Sequence, residues 1–137
     1  MGPLPNLATP TTPVAWDFGY MHAHSAQNPI IQRYWPTGDY SKLDPVGPSP
    51  LLIHIDQLEK LTQRWMDFSL GLRSNGDAER VMQGWVQEMW GYSIAAASVG
   101  IVHKVLPKLQ VPRPRALRPR EQRLVVALID WLIRLVG

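Results

Sequence analysis

Four sets of residues in this chain have the types and spacing that support chemistry. Glu88 stands alone between Trp85 and Trp90 in GWVQEMWGYSIAAASVGIVH (84–103), a stretch with no proline and no other charge. A carboxylate inside so apolar a segment has two readings. Either it satisfies a backbone amide or an arginine, or it faces a cleft as an acid with a raised pKa or as a partner for a substrate hydroxyl. Asp44 opens DPVGPSP, where Pro45, Gly47, Pro48 and Pro50 make a stiff loop able to hold backbone groups against a ligand. His103 closes the apolar stretch, as a metal-ligand type or as a histidine favoured by a helix C-terminus. His22 and His24, spaced H-x-H, put both rings on one face if the segment is a strand, though two ligands are too few for a metal site.

The elements that must position these residues are legible from periodicity. VAWDFGYM (14–21) reads as one strand or an aromatic lid, and NPIIQRYWPTGDY (28–40) as a short helical element stopped at Pro36 and turned at Gly38. LLIHI (51–55) has the β-favouring composition and length of a strand. Asp56 with Glu59 resembles a capping box, followed by Leu58, Leu61, Trp65, Phe68 and Leu72 at helical spacing. Asn75-Gly76 supplies a left-handed turn that ends this helix, and Asp77 caps the next. That next helix is expected as one piece over 78–102. Two adjacent apolar stripes, through Val81, Trp85 and Met89 and through Met82, Val86 and Trp90, mark it as buried over most of its circumference. Glu88 near its middle and the charges at its start exclude a membrane span.

Composition bounds the class. With 137 residues, 45% hydrophobic and 18% charged, the chain has the size and content of one folded domain. The net charge of +3 is local: Arg113, Arg115, Arg118, Arg120 and Arg123 outweigh Glu121 in 112–123, leaving the rest slightly acidic. No basic face interleaved with aromatics remains, so a nucleic-acid partner is not indicated. The absence of cysteine removes disulfides and thiolate metal sites. MGPLPNLATP has neither the basic start nor the apolar run of a signal peptide, and Pro3 and Asn6 argue against myristoylation.

PLPNLA (3–8), RYWPTGDYSKLDPVGPSP (33–50) and LTQRWMDFSLGLRSNGDAERVMQGWVQEMWGYSIAAASVGIVH (61–103) together resemble the plant and green-algal hydroxyproline O-arabinosyltransferases and the related peptidyl serine α-galactosyltransferases. DPVGPSP, RWMDFSL and GWVQEMWGYSIA are each uncommon, and they occur in the right order over roughly residues 3–112. The resemblance implies sugar transfer from a UDP-sugar to hydroxyproline or serine hydroxyls of wall glycoproteins. It also implies an α/β fold, a partial glycosyltransferase-A-like nucleotide-sugar domain of which this chain is the helix-rich C-terminal portion with few strands. A divalent ion, commonly manganese, would offset charge on the leaving UDP, and membrane anchoring and a Golgi setting are implied as well.

Family members carry an acidic metal-binding motif just before the segment that appears here as PLPNLA. The expectation is therefore a fragment, 1–112, lacking the first acidic ligands and an N-terminal anchor, either as part of a transferase or as an inactive remnant or interaction module. Carried over by position, Glu88 orients the acceptor hydroxyl or donor sugar and Asp44 contacts a sugar hydroxyl. Ser49 in the GPSP loop joins Trp85 and Trp90 as substrate-binding residues, with Tyr92 beside them, and His103 completes a metal site with acids from upstream. Pro48 stands where relatives tend to have a polar residue. Residues 113–137 depart from the family: a Pro/Arg linker leads to a 14-residue apolar run, shorter than the roughly 20 residues needed to span a bilayer.

Overall fold

The computed structural model describes residues 8–107, except the side chains of Pro48 and Ser49. The expectations for 113–137, and for residues 3–7, lie outside the described residues. Among the described residues four α-helices and a three-stranded sheet follow one another in the order β1 (Val14–Asp17), α1 (Asn28–Tyr34), β2 (Val46–Leu52), α2 (Ile55–Arg73), α3 (Gly76–Val81), α4 (Gln87–Ser98) and β3 (Lys104–Leu106), with two 3-10 turns before α1, one before β2 and one before α4. The architecture is mixed α/β and helix-rich, with a small sheet, as the sequence suggests.

The sheet order is β2-β1-β3, antiparallel between β1 and β2 and parallel between β1 and β3. β2 begins at Val46 inside the proline loop, so the strand expected at LLIHI is shifted toward the N-terminus. An edge position explains how Pro48 and Pro50 are tolerated, because an edge strand leaves one side of its ladder unpaired. The register supports this: Val14 pairs with Leu52 and Ala15 with Leu51, then an irregularity intervenes before Asp17 pairs with Val46. Val14 and Ala15 on the central strand are fully buried.

α2 follows its expected stripe, with Leu61 and Leu72 buried and Leu58, Trp65 and Phe68 partly so. Its N-cap is His54, whose Nδ1 accepts from the Asp56 backbone N–H, rather than an Asp56–Glu59 box. At the next boundary Asn75 caps α3 by accepting from the N–H groups of Asp77 and Ala78. Gly76 is thus the first residue of the helix and not a left-handed turn.

The single helix expected over 78–102 is two helices. Gln83 takes φ 52°, a region that side-chain-bearing residues rarely adopt, and the chain turns through a 3-10 segment at Gly84–Val86 before α4 starts. The stripe through Met82, Val86 and Trp90 is buried, whereas the one through Val81, Trp85 and Met89 is broken at Trp85, which the turn carries to the surface. α4 ends in a Schellman motif: Ile101 N–H donates to Ala96 C=O and Gly100 N–H to Ala97 C=O, with Gly100 at φ 81°. Residues 101–106 then return to the sheet.

Two apolar clusters form the core, and α4 contributes to both. Trp90 and Ile94 pack with Met21, Ile31, Leu72 and Met82, while Tyr92 and Ala96 pack with Ala15, Val46, Leu61 and Ile101. Gly91 lets α4 approach α2 closely, since a Cβ there would lie 3.0 Å from the Ser69 backbone nitrogen. No helix among the described residues is long and apolar enough to cross a membrane.

Candidate functional site

The stiff loop at Asp44–Gly47 joins two constellations. On one side is a buried hydrogen-bonded relay. Asp44 Oδ2 accepts from both the backbone N–H and the ring Nδ1 of His103, each at 2.9 Å. His103 Nε2 lies 2.7 Å from the Tyr92 hydroxyl. One proton arrangement satisfies every atom: a neutral imidazole carrying its proton on Nδ1, with Nε2 accepting from the phenol. Burial raises the Tyr92 pKa well above its ordinary 10.0, and the Asp44 charge adds to the effect, so the phenol keeps the proton this arrangement requires. Trp65 covers Tyr92 edge-on at 5.2 Å and donates its indole N–H to the Glu88 carbonyl.

On the other side is an aromatic cluster. Phe18 N–H donates to the Pro45 carbonyl at 3.1 Å, and the Phe18 ring lies against Gly47, where a Cβ would approach within 2.8 Å of Phe18 Cβ. Tyr20 and Trp85 complete the cluster, with centroids 5.3 Å apart and planes at 74°. Phe18 sits 5.3 Å from Tyr20 and 6.3 Å from Trp85. Tyr20 is 56% exposed and Trp85 57%, unusual for large aromatic side chains. The Trp85 indole N–H is turned back to Gln83 Oε1 at 3.2 Å.

The expected site residues divide accordingly. Asp44 is engaged, as the anchor of His103. Trp85 is exposed and sits among other aromatics, whereas Trp90 is 1% exposed with its indole N–H on the Met82 carbonyl, a core residue with no face for a sugar. Tyr92 is likewise buried. The side chain of Ser49 lies outside the described residues.

Glu88 is the largest correction. It is exposed in the first turn of α4, where the helix dipole favours an anion, so no buried charge has to be explained. The break at Gln83 and Gly84 starts a new helix at 87 and carries Glu88 to its solvent-facing side. His103 does not end a helix. It precedes β3, and with Nδ1 held by Asp44 and Nε2 by Tyr92 it has no lone pair for a metal. Among the described residues no three His, Asp or Glu side chains converge to hold an ion. His22 and His24 lie beside 3-10 turns, not on a strand: His22 pairs with Asp17, and the His24 backbone N–H donates to Gln27.

Sequence reasoning missed the relay, because Asp44 and His103 are 59 residues apart and no local spacing links them. The aromatic cluster was half visible, since VAWDFGYM carries Phe18 and Tyr20 and has the composition of a lid.

The structure thus defines a small mixed α/β unit organised around one rigid acidic-proline loop. The model of the Hydroxyproline O-arabinosyltransferase family N-terminal domain matches residues 1–105, and the chain belongs to that family. It is 38% identical over 105 residues to Hydroxyproline O-arabinosyltransferase 3 of Arabidopsis thaliana, covering 75% of this chain and 29% of the relative. Hydroxyproline O-arabinosyltransferase RDN2 of Medicago truncatula is 35% identical over 74% of this chain and 28% of its own length. Peptidyl serine alpha-galactosyltransferase of Arabidopsis thaliana is 32% identical over 72% of this chain and 13% of that protein. The chain therefore spans about a third or less of the length of the relatives it matches. No solved structure matches it.

Proposed function

We propose that this chain forms part of a glycosyltransferase that moves a pentose or hexose from a UDP-sugar to hydroxyproline or serine hydroxyls of wall glycoproteins, within a glycosyltransferase-A-like domain of the Golgi. Family membership carries the reading: the relatives are named for arabinosyl transfer to hydroxyproline and galactosyl transfer to serine. The divalent ion and the phosphate grip belong, on this reading, to parts of the protein outside the described residues. The described residues supply scaffold and an exposed aromatic surface instead, and no step of the transfer is assigned to His103.

The second reading, a non-catalytic interaction module, draws on the same exposed aromatic cluster. A chimera separates the two. The matching 105 residues of the Arabidopsis relative are replaced by residues 1–105 of this chain, and transfer from UDP-arabinose to a hydroxyproline peptide is measured with manganese present. Transfer within about tenfold of the parent supports the enzyme reading, and abolished transfer by a folded chimera supports the module. The isolated 137 residues are expected to give no turnover under the same conditions.

A further inference from the structure

The Phe18, Tyr20 and Trp85 cluster lies at the edge of the core, with Phe18 packed against it and Tyr20 and Trp85 more than half exposed. Its rings come from two segments about 65 residues apart and meet edge to face. Tyr20 and Trp85, nearly perpendicular, make the floor and wall of an open corner, and Phe18 closes its base against the Asp44–Gly47 loop. The corner is held in place from behind. Gln83, in its strained backbone conformation, fixes the Trp85 indole through Oε1, while the Pro45 carbonyl fixes Phe18. Strain at a position that orients an exposed ring is a recognised companion of ligand sites.

We infer that this corner seats a pyrrolidine ring of a polypeptide in the polyproline II conformation, and that it is the acceptor-docking surface of the protein. The polar groups around the rings suit this occupant. The backbone of a prolyl segment has no N–H to donate and presents carbonyl acceptors only. The cluster offers donors to match: the Tyr20 hydroxyl and the Gln83 Nε2, neither of which has a partner among the described residues. Aromatic-lined surfaces are also the recurrent way in which proteins hold proline-rich segments, whose preformed conformation loses little entropy on docking. The choice of a hydroxyproline-containing peptide as the specific ligand rests on the transferase reading above; the geometry alone asks only for a prolyl chain.

The test is a titration of the 137-residue chain with a blocked peptide of about eight residues alternating proline and 4-hydroxyproline, followed by indole NMR shifts. A glycine-serine peptide of equal length and an arabinose disaccharide serve as comparison ligands. Saturable binding of the prolyl peptide that shifts the Trp85 indole, and that weakens at least tenfold in Trp85→Ala and Tyr20→Ala, is the expected result. Trp85→Phe should retain most of the affinity. Met66→Ala, an exposed apolar position on α2, should leave it unchanged, which separates stacking from general stickiness. Both aromatic positions are exposed, and unchanged circular dichroism verifies that the variants fold.

No saturation by the prolyl peptide, stronger binding of the disaccharide, or equal affinity in Trp85→Ala overturns the inference. Its failure is distinguishable from that of the transferase reading. A chimera that transfers sugar with an unaltered peptide KM after Trp85→Ala removes the docking surface and keeps the enzyme. Peptide binding by a chain whose chimera is inactive removes the enzyme and keeps the surface.

Discussion

At the residue scale, the relay of Asp44, His103 and Tyr92 makes two predictions. Tyr92→Phe removes the proton that His103 Nε2 accepts, and leaves a buried acceptor without a partner. An unsatisfied buried polar group costs about 1–3 kcal/mol, so chemical denaturation should show a loss of that order with the fold otherwise intact. The second follows from the raised pKa of Tyr92. Native Tyr92 holds its proton above pH 10, where the unfolded phenol has released it, so the unfolded state binds fewer protons and stability falls as pH rises. The contribution is complete below about pH 10, and above it one such group lowers stability by about 1.4 kcal/mol per pH unit until the native phenol itself ionises. In Tyr92→Phe that share of the alkaline slope should vanish. A wild-type and variant pair with identical slopes between pH 10 and 11.5 would show that the phenol is not held in this way.

At the scale of elements, the instructive position is Gln83. A non-glycine residue at φ 52° stores strain of order 1–3 kcal/mol, and glycine takes such values freely. Gln83→Gly should therefore raise stability by about 1 kcal/mol, net of the lost hydrogen bond to Trp85. It should also loosen the Trp85 ring, visible as faster indole-region dynamics. Gly100 is the mirror case. At φ 81° in a Schellman motif, Gly100→Ala should destabilise by about 1 kcal/mol without affecting Trp85.

These two positions also show what the sequence let one read. The end of α4 was marked by a glycine of the expected type, so a boundary near 99 was available even though the apolar pattern pointed to 102. The break at Gln83 had no such mark beyond Gly84, because glutamine is a good helix former and the apolar spacing continues across it. One helix continued through that point would set Glu88 in a buried apolar face, whereas the break at Gln83 leaves it in the exposed first turn of α4. The amphipathic α2 was legible because local periodicity alone sets its buried face. The His103–Asp44 contact was not, because it depends on how β3 returns to the sheet.

At the scale of the whole molecule, the question is whether the two apolar clusters unfold together. One holds Leu72 and Trp90, the other Leu61 and Trp65, and α4 passes through both with Trp90 and Ile94 on one side and Tyr92 and Ala96 on the other. A rigid helix shared between two half-cores couples them, since neither keeps its packing if α4 leaves. Leu61→Ala and Leu72→Ala each empty a fully buried site and should each cost about 2–5 kcal/mol. Because of α4, each should lower the stability reported from the opposite cluster by the same amount as from its own. The measurement is urea unfolding followed separately by Trp65 and Trp90 fluorescence, each kept as the sole tryptophan of its cluster. Coincident midpoints that move together in both variants establish one cooperative unit. Midpoints that separate would mean the clusters are independent, and that the loop at Asp44–Gly47, held to His103 beside one cluster and to Phe18 beside the other, joins two parts able to move apart.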